Sequence, residues 1–257
     1  MHPETYDMLA GREDAYWWHV VRRTMSADLL KRHGVSPGGY WLDLGCGPGG
    51  NLLLPKSFGA ELAVGVDLSP IALRLARRKK PQARLVCADL SNALPFAGGT
   101  FNAVTIFNVL YHDWVKSEAA VLAEVFRVLR PGGLLLVTEP AFTALSREMD
   151  VAAMGHRRYR RADFVRLCEA AGLQVRQTGY FSSFGFPALL AMKFLRRIRP
   201  AKTEPQGAKP DAGADMKPLN PVVNEWLQRF ATLEARAIAA GLTVPFGTTL
   251  LCVARKP

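Results

Sequence analysis

An acid placed just before a glycine-rich turn is the feature of this chain that most directly indicates chemistry. Residues 40–44 have the apolar pattern of a buried strand that contains Asp43, and Gly45, Gly47 and Gly49 follow this strand closely. Glycines let a backbone turn tightly and approach a ligand without Cβ interference, and the first amides of a helix that follows such a turn are unpaired. The pattern therefore predicts a binding site for a nucleotide-type cofactor.

The acid distinguishes between two classes of cofactor. Gly45, Gly47 and Gly50 also satisfy the G-x-G-x-x-G fingerprint of dinucleotide-binding domains. A dinucleotide would place its pyrophosphate on this turn, where Asp43 would repel it. S-adenosylmethionine places a methionine ammonium there instead, which a carboxylate can hold. We therefore predict S-adenosylmethionine; a turn without a ligand is the alternative, at the cost of a buried unpaired acid.

Four more signals follow the turn in a regular order. Apolar strands end at Asp67 and at Asp89, a fourth strand covers 101–108, and a Pro-Gly-Gly turn precedes a fifth strand that ends at Glu139. In these motifs, over roughly residues 40–140, the chain resembles the class I S-adenosylmethionine-dependent methyltransferases of the type 11 kind. Five ordered signals are far more specific than a single glycine loop.

The resemblance implies how these positions hold S-adenosylmethionine. Asp67 is placed to accept the ribose hydroxyls, as acids about 20 residues after such a turn do. Asp89 is expected to face the adenine amino group with Leu90 packing beside it, and Asn108 to border the methyl group. The expected cofactor-binding residues are Asp43, Gly45, Cys46, Gly47, Gly49, Asp67, Leu68, Asp89, Leu90 and Asn108.

The alternation of strands and helices predicts an α/β fold with a Rossmann-like, doubly wound sheet. The resemblance implies seven strands, mostly parallel, with an antiparallel C-terminal hairpin. We expect an N-terminal helical lid (1–36), a cofactor-binding core (37–182), a helical insertion (183–245) with a flexible linker (200–218), and a final core strand (246–257).

Methyl transfer is an in-line displacement at a sulfonium, so the protein must align a nucleophile and, for a hydroxyl acceptor, remove its proton. His156 is the preferred base because it follows the fifth strand, where Asp150 could orient it; a salt-bridged loop without a catalytic role is the alternative. His112 occupies the Glu-His position of the resembled family, and helix capping or packing is its alternative role. Glu139 completes the predicted catalytic set, and no metal site is predicted.

Adjacent aromatic residues near the N-terminus form a second group of candidate site residues. The stretch Glu13 to Arg23, with its Tyr-Trp-Trp-His run, resembles an N-terminal signature in a bacterial branch of these methyltransferases. The aromatics are expected either to form a lid that excludes water from the cofactor or to pin a helix to the core. The predicted substrate or lid residues are Tyr16, Trp17, Trp18, Arg22, Tyr111 and Tyr159.

Positive charge indicates a class of partner. The net charge is +11, with clusters at 74–80, 157–161 and 193–199; such clusters suit nucleic acid or anionic lipid, although the first also fits a solvated helix face. Residues 184–199 are apolar at their start and basic at their end, which predicts contact with an anionic membrane surface; packing on the sheet or a dimer contact is the alternative. Nucleic acid is less favoured, because the fourth strand does not end in the Asn-Pro-Pro-aromatic turn of many base methyltransferases.

The predicted location is the cytoplasm, extending to peripheral contact at the inner membrane surface. Neither a long apolar run nor a signal-peptide pattern occurs in the sequence. The four cysteines are widely spaced, which indicates reduced thiols.

Three classes of function remain at this stage. The leading prediction is methylation of oxygen, carbon or nitrogen on a small-molecule or lipid-linked acceptor, for which the basic and apolar insertion favours a prenylated quinol or isoprenoid carrier over a soluble secondary metabolite. A NAD(P)-dependent oxidoreductase and a non-catalytic cofactor-binding subunit are the alternatives. Asp43 and the Asp89-Leu90 pair argue against the oxidoreductase, whereas only turnover excludes the non-catalytic subunit. Neither the methylated atom nor the oligomeric state follows from the fold.

Overall fold

Seven strands form one central sheet in the computed structural model, which describes residues 3–146, 150, 154–198 and 219–257. The strands are β1 (Tyr40–Leu44), β2 (Leu62–Asp67), β3 (Arg84–Cys87), β4 (Phe101–Phe107), β5 (Leu129–Pro140), β6 (Gln174–Phe181) and β7 (Thr249–Arg255). The α-helices named here are α1 (Pro3–Arg12), α2 (Trp17–Arg32), α3 (Pro70–Lys79), α4 (Glu118–Val128), α5 (Arg161–Ala170), α6 (Gly185–Ile198) and α7 (Pro221–Ala239).

The sheet order is β3-β2-β1-β4-β5-β7-β6, and it confirms the predicted fold class. The strands β1 to β5 pair in parallel, whereas β7 lies antiparallel to both β5 and β6. The chain proceeds outward from β1 through β2 to β3 and then returns to place β4 on the other side of β1. Ligands of open α/β sheets bind at the carboxyl ends of the strands at such a switch point.

Helices cover both faces of the sheet because successive strand residues point to opposite sides. Trp41 packs in one cluster with Val21 of α2 and Ala231 of α7, while its neighbour Leu42 packs in another with Leu122 of α4. Both strand residues are almost completely buried. The sheet is therefore enclosed on both faces, and its carboxyl edge is left for the site.

The helix expected directly after the glycine turn is replaced by two short 3-10 helices, Gly50–Leu53 and Pro55–Phe58. Pro55 has no amide to donate, so an α-helix begun at Gly50 cannot continue through it. Gly59, in the left-handed region at φ +64°, ends the second turn. The prediction of a regular helix at this point was wrong.

The insertion before the last strand contains α6 and α7, as predicted, and residues 200–218 of the expected linker lie outside the described residues. Asn220 caps α7 by accepting a hydrogen bond from the amide of Val222, and Pro221 takes the first helical position. Within the described ranges, no helix is long and apolar enough to cross a membrane.

Candidate active site

One cavity of about 650 Å³ lies at the carboxyl edge of the sheet, between α1, α2 and α6. It extends from the glycine turn after β1 to the start of α6. Its lining includes predicted site residues from five separate segments of the chain. These are Tyr16, Trp17, Trp18, Arg22, Gly45, Cys46, Gly47, Asp67, Leu68, Leu90, Asn108, Tyr111 and His112.

The glycine turn has the backbone that its sequence predicts. Gly45 and Gly47 have φ values of +69° and +52°, in the left-handed region that favours glycine. A Cβ at Gly45 would overlap the side chain of Val109. Asp67 accepts hydrogen bonds from the amides of Gly47 and Ser69, both at 2.8 Å, and so fixes the end of β2 to the turn.

Asp43 is buried behind the turn, and one of its oxygens is unsatisfied. Its Oδ1 accepts a hydrogen bond of 2.6 Å from the Thr105 hydroxyl, while Oδ2 has no hydrogen-bond partner among the described residues. Burial raises the pKa of Asp43 to about 7, although the Thr105 hydrogen bond and the Arg22 guanidinium both lower it. A buried acceptor without a donor is costly. The site therefore suits a ligand that brings a cationic donor.

Arg22 places a buried guanidinium in the wall of the same cavity. It donates one hydrogen bond of 3.1 Å to Asn51, its Nε has no partner among the described residues, and its charge lies over the rings of Trp18 and Phe107 at 4.6 and 4.8 Å. Burial lowers the pKa of Arg22 to about 10, which still leaves it cationic at neutral pH. No salt bridge joins Arg22 to Asp43 in the described chain. The cavity thus has a buried cation in its wall, while Asp43 lies behind the glycine turn and is not itself a lining residue.

Only some of the other expected cofactor-binding residues line the cavity. Leu68, Leu90 and Asn108 line the cavity, and Asn108 adopts φ +57° where β4 ends. Asp89 is not among the lining residues, and its carboxylate accepts a 2.8 Å hydrogen bond from the amide of Ser91 in its own turn. Gly49 supports the turn from behind, against Ala76 of α3.

Glu139, which was predicted to be catalytic, lies outside the cavity lining. It is fully buried at the end of β5, and its Oε1 accepts hydrogen bonds from the amides of Val109 and Leu110 at 2.9 and 2.8 Å. Glu139 is therefore a positioning residue that holds the loop after β4, because a buried carboxyl at this point can bind only the amides around it.

The Glu139→Gln variant is expected to remove part of the pH dependence of stability. Burial raises the pKa of Glu139 to about 8. The folded state therefore keeps a proton that the unfolded state releases above its ordinary pKa, so stability is full below about pH 4.5 and falls as the pH rises through about 8. Relative to the variant, the wild type should lose on the order of 2 kcal/mol or more between about pH 5 and about pH 8.

Chemical denaturation at several pH values measures this difference. Glu169→Gln, which removes an exposed carboxylate from α5, controls for the change in net charge. Parallel stability curves for Glu139→Gln and the wild type would contradict the assignment.

The histidines are arranged differently from the prediction. His112 is buried, stacks on Trp114 at 3.8 Å and lines the cavity. His156 does not line it: its side chain is 58% exposed and lies 3.4 Å from Asp113. Asp150 does not orient His156, because it forms an ion pair of 2.6 Å with Arg158. The geometry therefore favours His112 over His156 as a group near a bound acceptor.

A second histidine, which was not predicted as a site residue, also reaches the cavity. His19, on the first turn of α2, lines the cavity and makes edge contacts with the rings of Tyr16 and Trp18. Burial lowers its pKa well below the usual value, and the nearby charges of Arg22, Arg23 and Lys79 lower it further. The ring is therefore neutral at pH 7. In the sequence, the position of His19 directly after Trp18 is the feature that could have indicated a place in the cavity wall.

Every predicted substrate or lid residue except Tyr159 lines the cavity. Trp17 packs on Phe184, with ring centroids 5.6 Å apart, and so joins α2 to the start of α6. Tyr159 is instead buried in the core, where its hydroxyl donates to Glu118 at 3.2 Å, and it does not line the cavity. It packs edge to face on Phe164, which accounts for its burial.

The first helix covers the end of the cavity nearest the glycine turn. Tyr6 and Leu9 of α1 line the cavity there, together with Glu13. Glu13 and Asp14 both pair with Lys79 of α3, at 2.7 and 2.9 Å. The sequence analysis missed these lining residues because α1 is short and has only a weak apolar pattern.

The opposite end of the cavity is mainly apolar. Its wall includes Pro140 after β5 and Phe184, Ala188 and Leu189 from the start of α6. No cluster of three or more potential metal ligands occurs in the described residues. The cavity thus combines a charged end at the turn with an apolar end at the insertion.

Comparison with known proteins agrees with this arrangement. The family described as a methyltransferase domain matches residues 42–133. Residues 42–133 therefore form a methyltransferase domain, which agrees with the predicted resemblance.

The chain is also similar to curated methyltransferases over about half of its length. The chain is 38% identical to a trans-aconitate 2-methyltransferase of Azoarcus sp. over 130 residues, which is 50% of each protein. It is 34% identical to a demethylmenaquinone methyltransferase of Symbiobacterium thermophilum over 143 residues, or 53% of this chain and 55% of that protein. The alignments span about half of these relatives.

The fold of the methyltransferase domain recurs in solved structures. Geranyl diphosphate C-methyltransferase from Streptomyces coelicolor, solved with Mg²⁺, geranyl diphosphate and S-adenosyl-L-homocysteine, superimposes with a TM-score of 0.56 at 15% identity. The superposition covers 91% of this chain and 80% of the other. At this identity the likeness concerns the fold alone.

Proposed function

We propose that the protein transfers a methyl group from S-adenosylmethionine to a small-molecule or lipid-linked acceptor. The observation that carries the proposal is a single cavity that extends from the glycine turn to an apolar wall at the start of α6, with Arg22 in its wall and the unsatisfied carboxylate of Asp43 buried behind the turn. The methionine part of the cofactor carries both an ammonium and a carboxylate. Asp43 and Arg22 complement those two charges.

The residues in and around the glycine turn are compatible with S-adenosylmethionine as the cofactor. The unpartnered Oδ2 of Asp43 would accept from the ammonium, and the unspent donors of Arg22 would meet the carboxylate. Asp67 and Leu90 line the cavity where ribose and adenine are expected, and Asp89 is the remaining candidate for the adenine amino group. When bound, S-adenosylmethionine supplies an electrophilic methyl group on its sulfonium.

The protein's own contribution to the reaction is alignment, exclusion of water and acceptance of a proton. Trp17, Trp18 and Tyr111 form walls that keep the cavity apolar near the predicted methyl position. For a hydroxyl acceptor, His112 and His19 are the two candidate bases, since both line the cavity. The lowered pKa of His19 keeps its ring neutral at pH 7 but also makes it a weak proton acceptor.

The apolar end of the cavity supports an acceptor with a large apolar part. Arg158 also lines the cavity, but it is engaged by Asp150 and by the carbonyl of Ala141. The lining from the insertion and its flanks combines the apolar Phe184, Ala188 and Leu189 with the hydroxyl side chains of Ser182, Thr248 and Thr249. Apolar lining with few polar groups is typical of sites for hydrophobic ligands. A prenylated quinol or an isoprenoid carrier fits this wall better than a small polyanion does. A soluble secondary metabolite is the second candidate, since trans-aconitate is the acceptor named for one relative.

Transfer of a labelled methyl group into host extract is expected to place the label in the organic phase. The purified protein is incubated with methyl-labelled S-adenosylmethionine and extract, and the products are partitioned between solvent and water. Asp43→Asn should lower the incorporated label at least tenfold, since it removes the group proposed for the ammonium. Asp113→Asn, which changes an exposed acid outside the cavity, is the matched control.

Each outcome of the partition assigns the acceptor. Label confined to water would contradict the lipid-linked acceptor and favour the soluble metabolite. Cofactor binding without any transfer, in extracts from several sources, would favour the non-catalytic subunit.

A further inference from the structure

The last helix of the insertion has two apolar faces. On its inner face, Ala231, Ala235 and Ile238 are buried in the cluster that contains α2. Its outer face carries large apolar side chains at helical spacing that remain 47–67% exposed. These are Val222, Val223, Trp226, Phe230 and Leu233. A contiguous apolar surface of this kind marks an interaction site.

This exposed surface is continuous with the wall of the cavity. Phe230 packs on Phe184, which lines the cavity, with ring centroids 5.7 Å apart. On the same segment, Phe186 contacts Phe246, which is 44% exposed. The helix α6 adds Leu190 and Phe194, which are 38% and 64% exposed. We call the exposed set Leu190, Phe194, Val222, Trp226, Phe230 and Leu233 the apolar rim.

The charge of the chain distinguishes between the partners that could cover the apolar rim. The second half of α6 contains Lys193, Arg196 and Arg197, and the whole chain has a net charge of +11. The two acids of α7 are engaged, Glu225 with Arg229 and Glu234 with the amides of Ser182 and Ser183. Two copies of so basic a chain repel each other, whereas an anionic surface attracts it.

We propose that the apolar rim docks on an anionic lipid bilayer. Tryptophan and phenylalanine side chains insert at the boundary between headgroups and acyl chains, and adjacent lysine and arginine residues bind anionic headgroups. The start of α6 forms both the apolar wall of the cavity and the base of the rim, so docking brings the apolar end of the cavity to the lipid. This inference rests on the proposed function, because it supplies the route by which a lipid-linked acceptor enters.

Co-sedimentation with vesicles tests the docking surface. Vesicles of phosphatidylcholine alone are compared with vesicles that also contain phosphatidylglycerol. The wild type should sediment with the anionic vesicles and be released at high salt. The double variant Trp226→Ser, Phe230→Ser should lower the partition coefficient by about tenfold or more, because each ring buries a large apolar area in the bilayer. Tyr40→Ser, which removes a 41% exposed aromatic residue at the opposite edge of the sheet, should bind as the wild type does.

A charge variant keeps the test valid if the double serine variant does not fold. Arg196→Glu, Arg197→Glu changes only the basic half of α6 and should reduce binding to anionic vesicles. Equal recovery of the wild type in both supernatants would overturn the proposal. A concentration-dependent dimer that disappears in the serine variant would overturn it as well, since the rim would then bind a second copy.

Calorimetry with S-adenosylmethionine separates this proposal from the proposed function. A wild type that binds the cofactor but not the vesicles would overturn only the proposal of a docking surface. A folded wild type that does not bind the cofactor would overturn the proposed function, whatever the result of the co-sedimentation experiment.

Discussion

Replacing Asp43 by asparagine is expected to weaken S-adenosylmethionine binding by about ten- to a hundredfold, the range for losing a hydrogen bond between charged groups. Asp43 is buried behind the glycine turn, and its Oδ2 has no partner among the described residues. The asparagine can still accept from the Thr105 hydroxyl through its carbonyl oxygen, so the local structure should survive. What it removes is the negative charge that faces the ammonium.

The same carboxyl should make binding depend on pH. Burial raises the pKa of Asp43 to about 7, so at lower pH most of the unliganded protein carries a neutral carboxyl there. An ammonium favours the ionised form. The wild-type affinity should therefore increase as the pH rises from about 5.5 to about 7, with release of up to one proton for each cofactor bound.

Calorimetric titrations in buffers of different ionisation enthalpy measure both the affinity and the released proton. Asp43→Asn should show a nearly constant affinity over this pH range. Asp113→Asn removes an exposed acid outside the cavity and should retain the wild-type profile. An unchanged profile in Asp43→Asn would sink the assignment of Asp43 to the ammonium.

Substitution of Arg22 by methionine is the second change with a large expected effect. The guanidinium is buried in the cavity wall, makes one hydrogen bond to Asn51 and keeps unspent donors. If it binds the cofactor carboxylate, the variant should lose about ten- to a hundredfold in affinity for S-adenosylmethionine. Its affinity for decarboxylated S-adenosylmethionine should hardly change, because that molecule has no carboxylate to lose.

The comparison between the two cofactor forms separates binding from folding. Methionine preserves much of the packing of the arginine stem against Trp18 and Phe107. Arg23→Met is the matched control, since it removes the same charge from the next residue, which donates to the carbonyls of Glu13 and Asp14 and does not line the cavity. An equal loss for both cofactor forms in Arg22→Met would mean that Arg22 only supports the shape of the cavity.

The sequence predicts the sheet and the charged end of the cavity well, because both depend on local patterns. Apolar strands that end in an acid or a glycine turn form the same carboxyl edge in every parallel sheet, so Asp43, Gly45 and Asp67 were found from spacing alone. The partner of Asp43 was not found. Thr105 lies on the neighbouring strand β4, and only the parallel register of β1 and β4 brings the two together.

Residues in loops and helices were harder to assign for a different physical reason. His156 and Glu139 were both predicted as catalytic, yet one side chain is exposed beside Asp113 and the other is buried against the amides of the loop after β4. Composition cannot show which way such side chains turn. In the same way, the pattern of α7 shows two apolar faces but not that one of them stays exposed.

The pairing of β6 with β7 has a consequence for how this protein could acquire new acceptors. Phe181 and Thr249 are register partners on adjacent antiparallel strands, so the insertion leaves the sheet and returns to it at one point. A segment whose two ends are anchored side by side can change in length between them without moving any strand, as long as the inner face of α7 still covers the sheet. Acceptor choice can therefore diverge through changes within this one segment, while the part that holds the methyl donor is inherited unchanged.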